Sequence, residues 1–514
     1  MNEGRTSRRP ANKHKGQKMS MLEKLRGHLP EPCLEGKTIW TDGEWRSARH
    51  GSTFTNVSPI DGSRLFDVAR GMGEDVDAAV ASARAAAPAW HAIGGAARAR
   101  VLRAFAAEIR GASASLGLAE TIDAGRPIAL TGASGAQRAA DLVEFYAGLA
   151  DKISGRVYDM PAGQSASMVR EPYGVIAAIT PWNYPLANAL TKLAPILACG
   201  NTVVLKPAEQ TPVVTTILPE LLRRAGLPKG VVNVVTGLGQ EAGAALVSHR
   251  DVAKVSFTGS TQTGRRIAAL AGEHLKGVVL ELGGKSALIV FDDADIDRAA
   301  DAAVFTSFMN QGQTCTSCNR IIVQRNVLDE FLTRCRAKLA KIRFGDPLDP
   351  MTQVGPVVSK QQMERITRLT DGVVPVPLDL DCFRPTDGGY FVKPLIAVDF
   401  DPESAFARTE IFGPAMSIRT FDDDAEAFRL ANDTEYGLAG SCWTSSLARA
   451  EVAKSSVQAG VIWINCVHVL TPAVPVSGHK SSGIGIEYGV DAIEQYMRVK
   501  SVVTLAGGWT SPFA

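Results

Sequence analysis

A cysteine and a glutamate, each in a glycine-containing turn, are the residues of this chain best suited to covalent chemistry. Glu281 begins the sequence Glu-Leu-Gly-Gly-Lys, and Cys315 ends the sequence Gly-Gln-Thr-Cys. A thiol with a pKa of about 8.5 is mostly protonated at neutral pH, so a nucleophilic cysteine needs activation. Asn183, in the sequence Pro-Trp-Asn-Tyr-Pro, offers a side-chain amide that can stabilise an oxyanion. Together the three residues suggest thiol attack on a carbonyl carbon.

The composition excludes several other classes of protein. The 514 residues are 45% hydrophobic and 21% charged, which is ordinary for a globular protein of two or three domains. The net charge of +2 gives no reason to expect nucleic acid as a partner, and no apolar run reaches the ~18 residues of a membrane span. With eight cysteines and no secretory signal, we expect a cytoplasmic protein with reduced thiols.

Residues 1–20 are rich in arginine and lysine and almost lack apolar side chains. A mitochondrial targeting peptide is one interpretation, but the segment lacks the apolar face of an amphipathic helix. We expect a disordered basic tail, or a translation start at Met19 or Met21.

Short β-branched runs that alternate with helical stretches predict a parallel sheet after residue 172. The predicted strands are Val175–Ile179, Thr202–Leu205, Val231–Val235, Lys254–Phe257 and Gly277–Leu280. The predicted helices between them are Leu186–Ala198, Val213–Ala225, Gln240–Ser248 and Gly264–Ala271. Ligands of such sheets bind at the carboxyl ends of the strands.

A second α/β pattern begins near Gly284. Its predicted strands are Ser286–Phe291, Ile321–Gln324, Ala415–Thr420, Gly440–Thr444 and Val461–Asn465. Its predicted helices are Asp297–Met309, Leu328–Lys341, Asp424–Ala431 and Ser446–Ser455. Two further extended segments are predicted far apart in the sequence, at Gln164–Arg170 and Ser501–Leu505.

The motifs around Cys315, Glu281 and Asn183 resemble those of the aldehyde dehydrogenase superfamily, in the same order and over nearly the whole chain. The resemblance implies an α/β fold with a Rossmann-like dinucleotide-binding domain, an α/β catalytic domain and a small bridging β segment. We assign residues 21–150 and 172–283 to the NAD-binding domain and residues 284–482 to the catalytic domain. Residues 151–171 and 483–514 are then oligomerisation segments, which predict a homodimer or homotetramer.

The resemblance also assigns roles to the reactive residues. Cys315 attacks the aldehyde to give a thiohemiacetal, hydride transfer leaves a thioester, and Glu281 activates water to hydrolyse it. The Asn183 amide and the Cys315 backbone N–H hold the oxyanion. Members that transfer the acyl group to coenzyme A generally lack the glutamate, so Glu281 favours release of a free acid. An acyl-transferring semialdehyde dehydrogenase and a thiol esterase remain the alternatives.

No G-x-G-x-x-G fingerprint is present, and Gly237-Leu-Gly-Gln-Glu-Ala-Gly243 has the wrong final spacing. By resemblance, Lys206 and Glu209 bind the adenosine ribose, while Gly259 and Ser260 open a helix that faces the pyrophosphate. The Glu209 carboxylate would repel a 2′-phosphate, which favours NAD over NADP as the cofactor.

The nicotinamide half of the cofactor is assigned to a different set of residues. The sequence Glu-Ile-Phe-Gly-Pro matches the family segment in which Glu410 holds the ribose and Phe412 flanks the ring. Thr180 and Trp182, beside the predicted oxyanion residue, are placed in the cofactor site as well.

Three residues keep more than one interpretation. Lys192 and Glu487 form either a proton path with Glu281 or a structural ion pair. Cys318 completes a Cys-x-x-Cys with Cys315, which suggests a redox pair, half of a zinc site or a reversible disulfide. Zinc is disfavoured because no second cysteine pair or histidine pair accompanies it, and no metal is expected.

The predicted substrate funnel mixes polar and apolar side chains, with no cation placed to hold a carboxylate and no dense aromatic cage. A medium-sized neutral or aromatic aldehyde fits that composition. His468 is interpreted as a packing residue, with a hydrogen bond to a substrate hydroxyl as the alternative. Val476 stands where the family often has an aromatic residue. The funnel set is Tyr184, Asn188, Thr191, Met309, Thr314, Thr316, His468, Leu470 and Val476.

Overall fold

The computed structural model describes residues 19–398 and 400–513. Their strands are β1 (Ile39–Thr41), β2 (Glu44–Arg46), β3 (Thr53–Val57), β4 (Arg64–Ala69), β5 (Arg156–Tyr158), β6 (Gln164–Pro172), β7 (Val175–Ile179), β8 (Thr202–Lys206), β9 (Val232–Val234), β10 (Lys254–Thr258), β11 (Gly277–Glu281), β12 (Ala287–Val290), β13 (Arg320–Gln324), β14 (Leu395–Val398), β15 (Ala415–Phe421), β16 (Tyr436–Gly437), β17 (Ala439–Trp443), β18 (Val461–Ile464), β19 (His479–Lys480), β20 (Gly483–Ile484) and β21 (Met497–Leu505).

The α-helices of the same residues are α1 (Met21–Arg26), α2 (Glu31–Leu34), α3 (Gly73–Ala92), α4 (Gly95–Gly111), α5 (Ser113–Ala124), α6 (Ile128–Thr131), α7 (Ala133–Leu149), α8 (Pro185–Ala198), α9 (Val213–Arg224), α10 (Ala244–Ser248), α11 (Thr261–Glu273), α12 (Ile296–Phe308), α13 (Leu328–Leu339), α14 (Lys360–Leu369), α15 (Ala405–Arg408), α16 (Asp424–Asn432), α17 (Leu447–Ser456) and α18 (Asp491–Gln495). Single irregular turns lie at Gly239–Gly243, Met309–Gly312 and Arg325–Val327.

The first sheet has eight strands in the order β2-β1-β9-β8-β7-β10-β11-β20. Strands β9, β8, β7, β10 and β11 pair in parallel, and β1, β2 and β20 join antiparallel at the edges. Every residue of β7 and β8 is buried, as expected when helices cover both faces of a parallel sheet. Helix α8 is buried along nearly its whole length, because it packs between this sheet and helix α7.

The second sheet has six strands in the order β14-β15-β13-β12-β17-β18, and all of its neighbours pair in parallel. A separate apolar core covers it, with Leu288, Ile321 and Ile418 from the strands and Phe308 and Phe331 from the helices. The short segment that contains Cys315 connects α12 to β13, at the amino edge of this sheet.

The third sheet is small and has the order β21-β6-β5. Strands β21 and β6 pair antiparallel over their full length, from Met497 opposite Pro172 to Leu505 opposite Gln164. This sheet joins the two extended segments that the sequence predicted at Gln164–Arg170 and Ser501–Leu505.

The structure modifies several boundaries predicted from the sequence. The predicted helix at residues 240–248 begins as an irregular turn and becomes α-helical only at α10. Residues 483–484 form β20 of the first sheet, and Ile493 and Tyr496 pack into the first core, so only part of the predicted segment 483–514 lies in the third sheet. Strand β14 and helix α14 were not predicted. Of the predicted tail, residues 1–18 lie outside the described residues, and Ser20 caps helix α1.

Candidate active site

Four neighbouring parallel strands bring polar residues to one edge of the first sheet. Thr180 follows β7, Lys206 ends β8, Gly259 follows β10 and Glu281 ends β11, so all four meet at the carboxyl edge. Backbone hydrogen bonds connect them in pairs. The Thr180 N–H donates to the Lys206 carbonyl at 3.1 Å, and the Gly259 N–H donates to the Glu281 carbonyl at 3.0 Å. Sheet register therefore fixes their spacing.

Lys206 and Glu209 form a polar pair at this edge. The Lys206 ammonium is buried, donates to the Pro207 carbonyl at 2.8 Å and lies 3.6 Å from a Glu209 carboxylate oxygen. Burial lowers the pKa of Lys206, and the Glu209 carboxylate opposes that shift. The Glu209 side chain is 35% exposed, which leaves it available to a ligand.

Ser260 is the N-cap of helix α11, and its side chain accepts a hydrogen bond from the Thr263 N–H at 3.2 Å. The remaining first-turn N–H groups of this helix are the type of donor that binds phosphate. The neighbouring Thr258 hydroxyl is buried and, among the described residues, has no hydrogen-bond partner. The turn from β10 to α11 thus carries donors suited to an anion.

Glu281 lies beside a buried ion pair. Its Oε1 atom is buried and has no hydrogen-bond partner within the described part of the chain. Burial, and then the Glu487 carboxylate, raise the pKa of Glu281 well above its usual range, while Lys192 opposes the shift. Lys192 Nζ lies 2.7 Å from Glu487 Oε1 and donates to the Ser256 hydroxyl at 3.1 Å. Lys192 and Glu487 therefore form the ion pair that the sequence predicted as one of two alternatives.

The segment before Cys315 has an unusual backbone. Asn310 and Gln311 have φ angles of 52° and 59°, in the left-handed region that non-glycine residues rarely adopt. Gly312 follows with φ 71°, and a Cβ atom there would collide with the Gly413 carbonyl. Cys315 itself is partly exposed, although both of its neighbours are buried. The tight turn thus leaves the Cys315 side chain accessible while the side chains on either side of it are buried.

The surroundings of the Cys315 sulfur atom favour the thiol over the thiolate. Burial raises its pKa to about 12, and the Glu410 and Glu281 carboxylates add to the shift. A thiol with so high a pKa is a poor nucleophile, so attack requires removal of its proton. Glu281 is one of the carboxyl groups whose charge acts on the Cys315 thiol, and its Oε1 atom has no hydrogen-bond partner among the described residues.

Asn183 contacts the same segment. Its Nδ2 atom donates to the Gln313 carbonyl at 3.0 Å, and its Oδ1 atom accepts from Asn188 Nδ2 at 3.1 Å. Asn310 Nδ2 donates to the Asn183 carbonyl at 3.0 Å. Because a side-chain amide has two N–H groups, one of them remains for a further acceptor.

Glu410 and Phe412 complete the arrangement. Glu410 Oε1 accepts from the Gly284 N–H at 2.9 Å, and a Cβ atom at Gly284 would lie 2.6 Å from the Cys315 carbonyl oxygen. Burial raises the pKa of Glu410 to about 7. Phe412 has a φ angle of 55° and packs edge-to-face on Trp182, with ring centroids 5.1 Å apart. The structure therefore brings the Glu281, Cys315 and Glu410 motifs into contact.

His468 has a structural environment. Its Nε2 lies 2.9 Å from the Thr306 hydroxyl and its Nδ1 lies 3.3 Å from the Thr316 hydroxyl, so both ring nitrogens have protein partners. Burial lowers its pKa to about 4, and its ring packs on Phe305 and Trp463. These contacts support the packing interpretation over a bond to substrate.

Cys318 and Val476 are both buried. Cys318 is a free thiol within the second core, and its Sγ lies 3.7 Å from the Thr316 carbonyl. Val476 belongs to the same core and pairs through its backbone with Glu487.

Among the described residues, no group of three or more His, Cys, Asp or Glu side chains is arranged to hold a metal ion.

Sequence reasoning missed three residues that contact the site. Tyr488, with φ 59°, bonds through its hydroxyl to Thr191 at 3.2 Å. Arg126 donates to Asn310, which in turn contacts Asn183. The adjacency of Tyr488 to Glu487 and of Asn310 to the Gly-Gln-Thr-Cys motif was a signal, whereas nothing near Arg126 in the sequence pointed to Cys315.

The described part of the chain contains no helix of the length and apolarity that crossing a bilayer requires.

The chain is similar to known proteins along most of its length. Residues 45–502 match the model of the aldehyde dehydrogenase family. The crystal structure of PnpE from Pseudomonas sp. WBC-3 is 40% identical, with a TM-score of 0.88 over 93% of this chain and 99% of that one. A mutant of P. syringae AldA, an indole-3-acetaldehyde dehydrogenase, in complex with NAD+ and IAA, is 37% identical, with a TM-score of 0.87 over 91% and 96%.

A third solved structure, betaine aldehyde dehydrogenase from Staphylococcus aureus in complex with NAD+, is 33% identical, with a TM-score of 0.90 over 95% of this chain and 97% of that one. PnpE too has been crystallised in complex with nicotinamide adenine dinucleotide. The match to the family model and the likeness of these folds over most of the chain lead to one conclusion: the chain belongs to the aldehyde dehydrogenase family.

Proposed function

We propose that the protein oxidises a medium-sized neutral or aromatic aldehyde to a free carboxylic acid, with NAD as the hydride acceptor. The observation that carries the proposal is the meeting of three groups at one place. These are the Cys315 thiol, the Asn183 amide and the buried Glu281 carboxyl group, which lacks a hydrogen-bond partner among the described residues. They supply the nucleophile, the oxyanion donor and the base that the reaction needs.

In the first half of the reaction Cys315 forms a bond to the aldehyde carbon. Its proton passes to Glu281 directly or through water, the thiolate attacks, and the carbonyl electrons move to oxygen. The free Asn183 N–H and the Cys315 backbone N–H stabilise that oxygen. When the oxygen re-forms the double bond, the C–H bond breaks and hydride leaves, so that Cys315 carries a thioester.

In the second half Glu281 acts on water. It accepts a proton as the water oxygen bonds to the thioester carbon, and the carbon–sulfur bond breaks to release the acid and the Cys315 thiolate. Burial and the Glu487 carboxylate raise the pKa of Glu281, which makes its ionised form a stronger base toward water than a solvent-exposed carboxylate. Before this step Glu281 must lose the proton that it took from Cys315, and the adjacent Lys192–Glu487 pair offers that proton an exit.

The residues of the carboxyl edge fit a dinucleotide. The Lys206 ammonium and the Glu209 carboxylate are the donor and acceptor that two ribose hydroxyls require, and the α11 first turn suits a pyrophosphate. Phe412 and Trp182 suit the nicotinamide ring, and Glu410 its ribose. When bound, NAD supplies the hydride acceptor. The Glu209 carboxylate disfavours the 2′-phosphate of NADP.

Hydrolysis is favoured over the two alternatives. An acyl-transferring enzyme has no need of a base for water, and Glu281 is free for that task among the described residues. A thiol esterase needs no dinucleotide, whereas the polar residues of the carboxyl edge are suited to one. The AldA complex with IAA supports an aromatic substrate class, although that ligand belongs to AldA.

We propose that the protein is a homodimer or homotetramer in the cytoplasm. Strand β21 is an edge strand with exposed apolar side chains, among them Val499 at 60% and Val503 at 66%. Unpaired strand edges and contiguous apolar surface are typically covered by another chain. Light scattering coupled to size exclusion tests this, and a monomer at micromolar concentration would contradict it.

The decisive experiment is NADH formation with a panel of aliphatic, aromatic and amino aldehydes, for the wild type, Cys315→Ala and the matched control Cys318→Ala. We expect turnover with at least one aldehyde, its abolition in Cys315→Ala, and retention within a few-fold in Cys318→Ala. Activity should need NAD and no coenzyme A.

Other outcomes reject the proposal in identifiable ways. NADH formation by Cys315→Ala would reject the covalent mechanism, and a strict requirement for coenzyme A would favour the acyl-transferring alternative. Ester hydrolysis without NAD, in the absence of any aldehyde oxidation, would favour the esterase.

A further inference from the structure

One buried arginine, Arg126, contacts two residues that adjoin Asn183. Arg126 forms an ion pair with Glu120, and both side chains are buried. Its Nε atom donates to Asn310 Oδ1 at 3.0 Å, and its guanidinium carbon lies 4.2 Å from the centre of the Tyr184 ring. A single planar group thus orients an asparagine through its edge and a tyrosine through its face.

Both oriented residues support the nucleophile segment, residues 309–315: Asn310 lies within it and Tyr184 contacts it. Asn310 Nδ2 donates to the Asn183 carbonyl at 3.0 Å and to the Gln313 carbonyl at 3.2 Å. The Tyr184 hydroxyl lies 2.7 Å from the hydroxyl of Thr314, the residue before Cys315. The Asn183 amide donates to the same Gln313 carbonyl at 3.0 Å. The relative position of amide and thiol therefore depends on contacts that lead to Arg126.

The segment needs such support because its backbone is strained. Asn310 has a φ angle of 52°, a conformation that costs on the order of 1 kcal/mol and persists only where other contacts impose it. The hydrogen bond from Arg126 holds the Asn310 side chain so that its Nδ2 faces the Asn183 carbonyl.

We propose that Arg126 is a positioning residue, which acts through Asn310 and Tyr184 to keep the Asn183 amide aligned for the oxyanion that forms at Cys315. This inference rests on the proposed function. A direct bond from Arg126 to substrate is disfavoured, because Glu120 neutralises the guanidinium and Asn310 and Tyr184 occupy its edge and face.

The test is a double-mutant cycle between Arg126→Lys and Asn183→Ala, measured as the rate of the NADH burst. Lysine retains the charge opposite Glu120 but lacks the planar fork that reaches Asn310 and stacks on Tyr184. We expect Arg126→Lys to slow the burst on the order of 10²-fold, since small misplacements of reacting groups have effects of that size. The KM for NAD should stay within twofold.

In the Asn183→Ala background the same lysine substitution should have little further effect, because the residue that it positions is absent. A full multiplicative loss in both backgrounds would overturn the proposal, and so would a normal burst rate in Arg126→Lys. Asn310→Asp provides a second variant. It keeps the acceptor for Arg126 and loses the donor to Asn183, and it should slow the burst to a similar extent.

Two controls distinguish a failure of the role proposed for Arg126 from a failure of the proposed function. Arg98 is another buried arginine, whose guanidinium donates to the Ala198 and His91 carbonyls, so Arg98→Lys reports the general cost of losing a buried guanidinium. It should change thermal stability and leave the burst rate unaltered. Cys315→Ala tests the proposed function itself. If Cys315→Ala keeps the burst, the covalent mechanism fails, whereas if it loses the burst and the cycle is additive, only the role of Arg126 fails.

Discussion

The two halves of the site are built by different means. At the carboxyl edge of the first sheet, Lys206 and Glu281 end strands that pair in regular register, and backbone hydrogen bonds set their spacing. In the nucleophile segment, residues 309–315, regular structure is absent after one short turn. Side chains of Asn183, Asn310 and Glu410 instead bond to its carbonyl groups or to its neighbours.

This difference has a consequence for substitutions. A side chain at the sheet edge can change without moving its neighbours, because the ladder of hydrogen bonds stays intact, so effects there should be local. In the nucleophile segment one side chain positions the next, so effects should be coupled. The comparison can therefore be tested residue by residue.

The largest effect on kcat is expected from substitution of Glu281, at the carboxyl edge of the first sheet. Glu281→Gln removes the base but keeps shape and hydrogen-bonding atoms, so it should lower kcat by about 10²–10⁴-fold. A stoichiometric NADH burst should remain, slowed because Glu281 no longer takes the Cys315 proton, with the enzyme then stalled as the thioester. Mass spectrometry of the intact protein would detect the acyl adduct on Cys315.

Glu487→Gln, in the adjacent ion pair, is the control for that variant. Turnover by Glu281→Gln at the wild-type rate would remove Glu281 from the mechanism. A loss of kcat of equal size in Glu487→Gln would instead show that Glu281 and Glu487 together, and not Glu281 alone, determine the rate.

A somewhat smaller effect is expected from Asn183→Ala, in the coupled half. Loss of one oxyanion donor typically costs about 10²–10³-fold in rate. This variant should slow the burst without leaving the enzyme stalled as the thioester, and stopped-flow fluorescence of NADH resolves the burst. A normal burst followed by slow turnover would contradict the assigned role.

At Glu209, the partly exposed residue of the carboxyl edge, a substitution should have a modest and local effect. Glu209→Ala removes a ribose acceptor, and one hydrogen bond to a charged group contributes about 1.5 kcal/mol, equivalent to roughly tenfold in the KM for NAD. The kcat should not change, and the preference for NAD over NADP should narrow. Parallel steady-state assays with both cofactors measure this, and an unchanged ratio would contradict the repulsion of the 2′-phosphate.

The two halves also differ in how far the sequence predicted them. Strand Val175–Ile179 was predicted at its observed bounds, because its unbroken β-branched and apolar run is typical of a buried parallel strand. Helix α11 was predicted too short, because its first turn is polar and Ser260 caps it. Strand β14 follows a long irregular stretch with no periodic pattern, and it is fixed by tertiary contacts, above all its pairing with β15.

Within the site, short motifs predicted the reactive residues but not the contacts between them. Arg126 and Asn310 are far apart in the chain, and their hydrogen bond exists only because the tertiary fold brings their two segments together. The backbone angles of Asn310 and Gln311 likewise depend on tertiary contacts, since neither residue type prefers φ above zero enough to predict it. Tertiary contacts of this kind leave no periodic pattern in the sequence, so they are found only in the folded structure.

The smallest effect concerns a charge that acts on the thiol. The Glu410 carboxylate helps to raise the pKa of Cys315, and its own pKa of about 7 means that it is ionised above neutral pH and protonated below. Glu410→Gln should therefore leave the rate of Cys315 alkylation by iodoacetamide unchanged at pH 6 and increase it at pH 8.5. Two charges a few ångströms apart interact by about 1 kcal/mol even in a water-like medium, which corresponds to about fivefold. Peptide mass spectrometry without cofactor, with Cys315→Ala as the blank, measures the rate at this one cysteine. An equal acceleration at both pH values would mean that the substitution had loosened the segment sterically, since a charge that is absent at pH 6 cannot act there.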